Sequence, residues 1–343
     1  MGFLRLLLAV FVAQQHLYIH PFTGSISVFA FFLLSGFLVT MMVNEVYDDG
    51  IRGKCLFLLN RFLRIYPVYW VCLKFGIFFL TKAPWEAYHL IHDMALPSAE
   101  WWRQYYIFGQ VRLDGTLYMP RVLEPAWSLN IELVYYLVIG LFVGKSKQLC
   151  WCFFGFAFYH LYAVIYHSRD FGYVYFSYLG NAMQFALGTL AYHYRHLFPR
   201  WRYGGQGTLL LLVTVIVLLP IKIPFLQRYW IEYHYSSLLL FMYIIPTVFW
   251  LGQERVKKRG VRWIDILDRW CGRISYPFFL LHCAAGAYVA MRWVHFIGRH
   301  WDVYTLGMLY ALFLSILIVI AVELPLESIR KAIRDAAAKR TQS

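Results

Sequence analysis

The chain has 343 residues and a formal charge of +14, yet only 15% of its residues are charged and 61% are hydrophobic. Soluble domains are about a quarter charged and about half apolar. Apolar runs of membrane-spanning length recur from end to end, which excludes an ordinary dehydrogenase, a DNA-binding domain and a secreted disulfide-bonded module.

Ten segments read as spans: 3–20, 26–43, 65–81, 126–144, 148–166, 175–194, 204–221, 234–251, 274–291 and 304–322. The second, eighth and tenth contain no Asp, Glu, Lys or Arg, and at 1.5 Å per residue each crosses about 30 Å of hydrocarbon. Solid apolar runs of this kind form helices; barrel strands would give short alternating segments. The expected fold is therefore an all-α, polytopic membrane bundle of about ten helices. It comprises a membrane domain over 1–326 and a basic cytoplasmic tail over 327–343.

Arg5 precedes the first apolar run, but no small-residue cleavage site follows it, so 3–20 reads as a retained span rather than a signal peptide. Charge bias sets the orientation. With both termini cytoplasmic, the inner segments carry 22 of the 32 Lys and Arg residues. Basic runs at 255–260 and 330–340 then flank spans on the side where anionic lipid attracts them, so membrane lipids explain the charge and no nucleic-acid partner is expected. The longest outer connection, roughly 82–125, is rich in aromatics and is expected to carry a short surface or re-entrant helix, with Trp101, Trp102, Tyr105 and Tyr106 at interfacial depth. The six cysteines lack metal or disulfide spacing and read as apolar filler, so no metal site is expected.

Polar groups inside the spans carry the functional signal, because each costs several kcal/mol unless paired or wetted. Arg5 and His16 are eleven residues apart, about 16 Å of rise and close to three full turns, and so share a helix face. Histidine serves as a base near neutral pH and is cheap to bury when neutral. Ser35-Gly36 sits mid-way along the second span, where a small pair permits close approach by a helix or ligand. Arg61 and Arg64 lie on one side of a helix entering the membrane from the cytoplasm, a pair that serves inside-positive anchoring or the holding of phosphates. Glu132 shares a face with Ser128 about one turn in from the outer side and needs a partner such as a histidine, an arginine or a substrate hydroxyl. His282 shares a face with Ser275, and Glu323 is expected to meet a loop arginine at the inner boundary. Composition and spacing leave two classes open. One is group transfer from a charged donor. The other is a proton-coupled transporter or exporter of a glycan or small metabolite.

The residues that separate these classes form an ordered set: "RLLLAVFVAQQH" with Arg5 and His16, "FAFFLLSGFLVT" at 29–40, "NRFLRIYPVYW" at 60–70, "WSLNIELVYY" at 127–136, "GRISYPFFLLH" at 272–282 and "VELP" at 322–325. Together these resemble the acyltransferase-3 family of multispanning bacterial membrane O-acyltransferases. The resemblance implies an acyl-CoA donor, acetyl-CoA foremost, entering from the cytoplasm of a cell inner membrane. The implied acceptor is a hydroxyl on an envelope glycan, a lipid-linked sugar or a small molecule. It further implies His16 as base or acyl carrier, with Glu132 and His282 as catalytic partners. Arg5, Arg61 and Arg64 fall to the donor, and Ser35, Trp127 and Ser128 to the substrate. Asn130 stands where the family more often has a small or serine-like residue, and no metal is implied.

Overall fold

The computed structural model describes all residues except 19–22, 83–93, 95, 98, 119, 168–169, 199–204, 223–229, 260–261, 298–299 and 342–343. Its elements are helical in chain order: α1 (Gly2–Tyr18), α2 (Thr23–Glu45), α3 (Ile51–Thr81), α4 (Trp101–Tyr106), α5 (Ala126–Val138), α6 (Lys147–His167), α7 (Phe171–Phe176), α8 (Ala182–His193), α9 (Gly205–Lys222), α10 (Trp230–Arg259), α11 (Trp263–Ile297), α12 (His300–Ile318) and α13 (Leu324–Thr341). No strand forms among the described residues; the connection before α5 contributes two isolated β-bridges, Met94 with Arg121 and Val111 with Leu117. The chain is an all-helical bundle of apolar helices. Five helical stretches have the length and composition to cross a membrane: Thr23–Glu45, Ile51–Thr81, Ala126–Val143, Lys147–His167 and Tyr304–Ala337.

Each expected span falls on a helix, with differences at the ends and in the sixth. Helix α3 begins at Ile51 rather than 65, so most of the anticipated inner loop is helix. The sixth segment, 175–194, is broken: Asn181 turns its amide onto the carbonyls of Tyr175 and Ser177, at 2.7 and 2.8 Å, and the Gly180 N–H bonds Ser177 Oγ at 2.8 Å. Side chains that bond nearby backbone offer it an alternative to the helix. The turn separates α7 from α8.

Helix α2 is the centre, with sixteen of its residues buried around its whole circumference. Lipid tails are as apolar as leucine, so helices in a membrane associate through close packing and interhelical hydrogen bonds rather than a hydrophobic drive. Both devices surround α2. Gly36 meets α8 at Gly188, where a Cβ would lie 2.2 Å from the Leu33 carbonyl oxygen and a Cβ on Gly36 would lie 2.5 Å from that of Phe185. Ser25 Oγ and His234 Nε2, at 2.7 Å, join α2 to α10. The close approach expected at Ser35-Gly36 is thus made by a neighbouring helix on the glycine side.

The connection before α5 folds back onto α3. Helices leave their last carbonyls without partners. Tyr69 Oη, Trp70 Nε1 and Tyr66 Oη donate to the carbonyls of Gln104, Tyr105 and Tyr106 at 2.6, 2.9 and 2.7 Å. Positions 66, 69 and 70 lie on one face of α3, so "YPVYW" is a docking face for the end of α4. The expected short helix is present, with Trp102, Tyr105 and Tyr106 exposed.

At the other end of α3, α12 passes through a π turn at Val319–Glu323 directly into α13. Helix α13 lies against α3, with Arg330 buried and its Nε donating to Asn60 Oδ1 at 3.3 Å. Glu323 pairs with Arg64 of α3 rather than with a loop arginine, and Arg330 bonds Glu327 at 3.0 Å.

Candidate active site

Two polar stations lie along one face of α1. The first surrounds Arg5. Helices α1, α2, α3, α5 and α11 line a partly open cavity into which Arg5, Arg61 and Arg64 all project. On α2 its lining runs from Val39 to Val28, about 16 Å of helix rise. The lower wall is polar and the upper wall, with Val28, Phe31 and Phe32, is apolar.

Glu132 lies in this cavity, not beside a histidine. Ser35 Oγ and Tyr136 Oη both donate to Glu132 Oε1, the latter at 2.5 Å. Positions 132 and 136 are one helical turn apart on α5, so the carboxylate and the phenol meet through local geometry. The three arginines differ in their engagement. Arg64 is tied to Glu323 and reaches the Gly272 carbonyl at 3.5 Å. Arg61 stacks between Phe57 and Tyr136, 5.7 and 5.6 Å from the ring centres, and its buried Nε has no hydrogen-bond partner among the described residues. Three cations converge here while the Glu132 carboxylate is engaged by two hydroxyls. Such a pocket suits an anion with several oxygens, and guanidinium groups match phosphate geometry.

The second station surrounds His16, which does not line the cavity. Its Nδ1 lies 3.2 Å from Glu124 Oε1, and its ring centre is 5.3 Å from that of His282. The Nδ1–H donates to the carboxylate, which fixes the tautomer and leaves Nε2 as the basic nitrogen. His282 is fully buried; its Nδ1–H donates to the Phe279 carbonyl at 2.8 Å, and its Nε2 has no partner among the described residues. Phe279 links the stations: its ring lines the cavity and lies 6.2 Å from that of His282.

The expected residues therefore divide. Arg5, Arg61, Arg64, Ser35, Ser128 and Glu132 come together in the cavity, and His16 with His282 forms the second cluster. Ser128 donates its hydroxyl to the Pro125 carbonyl at 2.8 Å. Trp127 is 5% exposed and faces away from the cavity, edge-on to Tyr175 and Phe176 with ring centres 4.9 and 4.8 Å away. Glu124 is the residue that sequence reading missed. It stands in the connection rather than in a span, one residue before Pro125, and the only trace of its role is an acidic residue at the mouth of an apolar run.

The acyltransferase domain family matches residues 3–322, which takes in both stations. The chain belongs to the acyltransferase-3 family. The chain is also similar to "Putative peptidoglycan O-acetyltransferase YrhL" of Bacillus subtilis (strain 168), at 27% identity over 135 residues, 36% of this chain and 21% of that one. The match thus spans about a fifth of the relative's length. No solved structure matches the chain.

Proposed function

We propose that this acyltransferase moves an acyl group, acetyl foremost, from acyl-CoA to a hydroxyl of a cell-envelope glycan or glycolipid. The observation that carries this reading is the shared face of α1, with a triple-arginine cavity at Arg5 and a carboxylate-held histidine eleven residues further along. The family supports acyl transfer, and the peptidoglycan named for the relative supports a glycan acceptor.

The donor's phosphates lie with Arg61, Arg5 and Arg64, and its extended arm follows the apolar wall towards Phe279. His16 Nε2 accepts the proton of the acceptor hydroxyl while that oxygen attacks the thioester carbonyl. The carbon–sulfur bond then breaks, and the departing thiolate takes the proton back from the His16 imidazolium, which restores the neutral base. Glu124 stabilises the imidazolium formed in the first step, as a buried carboxylate does for a catalytic histidine. His282, within ring contact of His16, excludes water from that side. Glu132 holds Ser35 and Tyr136 in the wall beside the arginines and so shapes the donor pocket.

With 22 of the 32 basic residues on the segments shared with both termini, we place the termini and the arginine cavity on the cytoplasmic side of a cell inner membrane. Acyl-CoA then enters from the cytoplasm, and the acceptor approaches His16 from the opposite side. The test is single-turnover transfer from radiolabelled acetyl-CoA to envelope glycan fragments by protein in nanodiscs. Label on the glycan supports the reading. Bound but untransferred donor with every glycan, lipid and small hydroxylated acceptor tried would sink it.

A further inference from the structure

The histidine station has a chemistry that acyl transfer does not use. One ring nitrogen each of His16 and His282 and the Cys283 Sγ lie within 4.8 Å of one another. Both imidazoles present the same arrangement. The Nδ1 of His16 is held by the Glu124 carboxylate and that of His282 by the Phe279 carbonyl. Both Nδ1 positions are thus engaged, and the Nε2 of His282 is buried with no partner among the described residues. Carboxylate or carbonyl oxygens in this position orient histidines that bind metals.

We propose that His16, His282 and Cys283 form a Zn2+ site, and that filling it blocks acyl transfer. Two imidazoles and a thiolate are a borderline-soft donor set suited to Zn2+ rather than to Mg2+ or Ca2+. Zinc–nitrogen and zinc–sulfur bonds of about 2.0–2.3 Å put neighbouring ligand atoms roughly 3.3–3.7 Å apart, so rotations moving these atoms by about an ångström close the site. The thiol gives its proton to solvent as the metal binds, so occupation strengthens as pH rises. His16 keeps 23% of its side chain exposed, which provides a route in. The consequence for catalysis rests on His16 being the base, because the metal takes the same lone pair that would accept the proton.

The experiment uses the full-length protein in detergent or nanodiscs, with Zn2+ and Co2+ as probes. One tightly bound Zn2+ per chain is expected, weakened at least 30-fold in Cys283→Ser. A thiolate-to-Co2+ charge-transfer band should appear in the parent protein and vanish in that variant. Cys283→Ser should retain transfer and lose its sensitivity to Zn2+. Absence of the band in the parent, or equal Zn2+ affinity in parent and variant, overturns the site. Binding without inhibition of an active protein overturns the blocking role. Both binding measurements are read without any turnover, so a failure of the acyl-transfer reading leaves the metal site standing, and the reverse also holds.

Discussion

His16 and Glu124 meet at 3.2 Å although one lies in the first helix and the other in the connection that leads into α5. The contact fixes which imidazole nitrogen carries the proton. A neutral amide at position 124 keeps the size of the side chain but removes the charge that stabilises imidazolium. Glu124→Gln should therefore lower the single-turnover rate by about 10-fold to 100-fold or more while donor affinity stays within about two-fold. A parental rate in the variant would show that the carboxylate merely packs against the ring.

Arg61 and Arg64 look equivalent in sequence, and the structure separates them. Arg61→Gln removes a guanidinium that stacks on two rings without a carboxylate, so the protein should fold and bind acyl-CoA about 10-fold or more weakly, in line with loss of a charged hydrogen bond of roughly 1.5–3 kcal/mol. Arg64→Gln leaves Glu323, only 3% exposed in its side chain, with Arg330 at 3.9 Å as its remaining cation. Breaking one half of a buried pair costs about 3–5 kcal/mol. Thermal unfolding in detergent should thus fall sharply for Arg64→Gln and little for Arg61→Gln. Equal stabilities would remove the structural role assigned to Glu323.

How much of this was legible follows from the range of each interaction. The helices were, because an apolar run declares a span through its own residues. The shared face of Arg5 and His16 was too, being one helix's periodicity. Position alone suited Arg61 and Arg64 to inside-positive anchoring as well as to phosphate, and the donor role came from the family resemblance. The partners were not legible: whether Glu132 meets a histidine or a serine depends on how α2 and α5 rotate against each other. Glu124 lay in a connection whose path is set by "YPVYW" on α3 capping a helix more than thirty residues away. The break before α8 was hidden because Asn181 and Ser177 sit in a stretch that is otherwise apolar.

The α2–α8 contact gives a stability prediction. A Cβ at position 188 meets backbone, the carbonyl of Leu33, and backbone cannot swing aside as a side-chain tip can. Gly188→Ala should destabilise the protein by about 1–3 kcal/mol through overpacking, seen as a lower unfolding temperature in detergent. Gly155 has open space where its Cβ would go, so Gly155→Ala is the control that should leave stability unchanged or slightly raised. Identical losses for the two variants would mean that helix separation at Gly188 is set elsewhere.

Orientation is tested by reporter fusions. Those placed after residue 50 and after residue 260 should report the cytoplasm, and one within 90–120 the opposite face. An outer report at 260 would mean that the spans between residues 50 and 260 are miscounted.

The sharpest prediction concerns His16 itself. A base contributes to the transition state more than to docking, so His16→Ala should bind acyl-CoA normally and lose transfer by at least roughly 100-fold. Donor binding and single-turnover transfer from radiolabelled acetyl-CoA are to be measured on one preparation, which separates a missing base from a missing fold. Near-parental transfer would hand the role to His282, whose Nε2 is equally without a partner among the described residues. The ranking of the two follows from exposure: the His16 side chain is 23% exposed, whereas His282 is fully buried. Withholding the acceptor adds a further readout. Direct transfer with His16 as base leaves the protein unlabelled, while acetyl trapped on His16 would replace the single displacement by two steps through an acyl-imidazole.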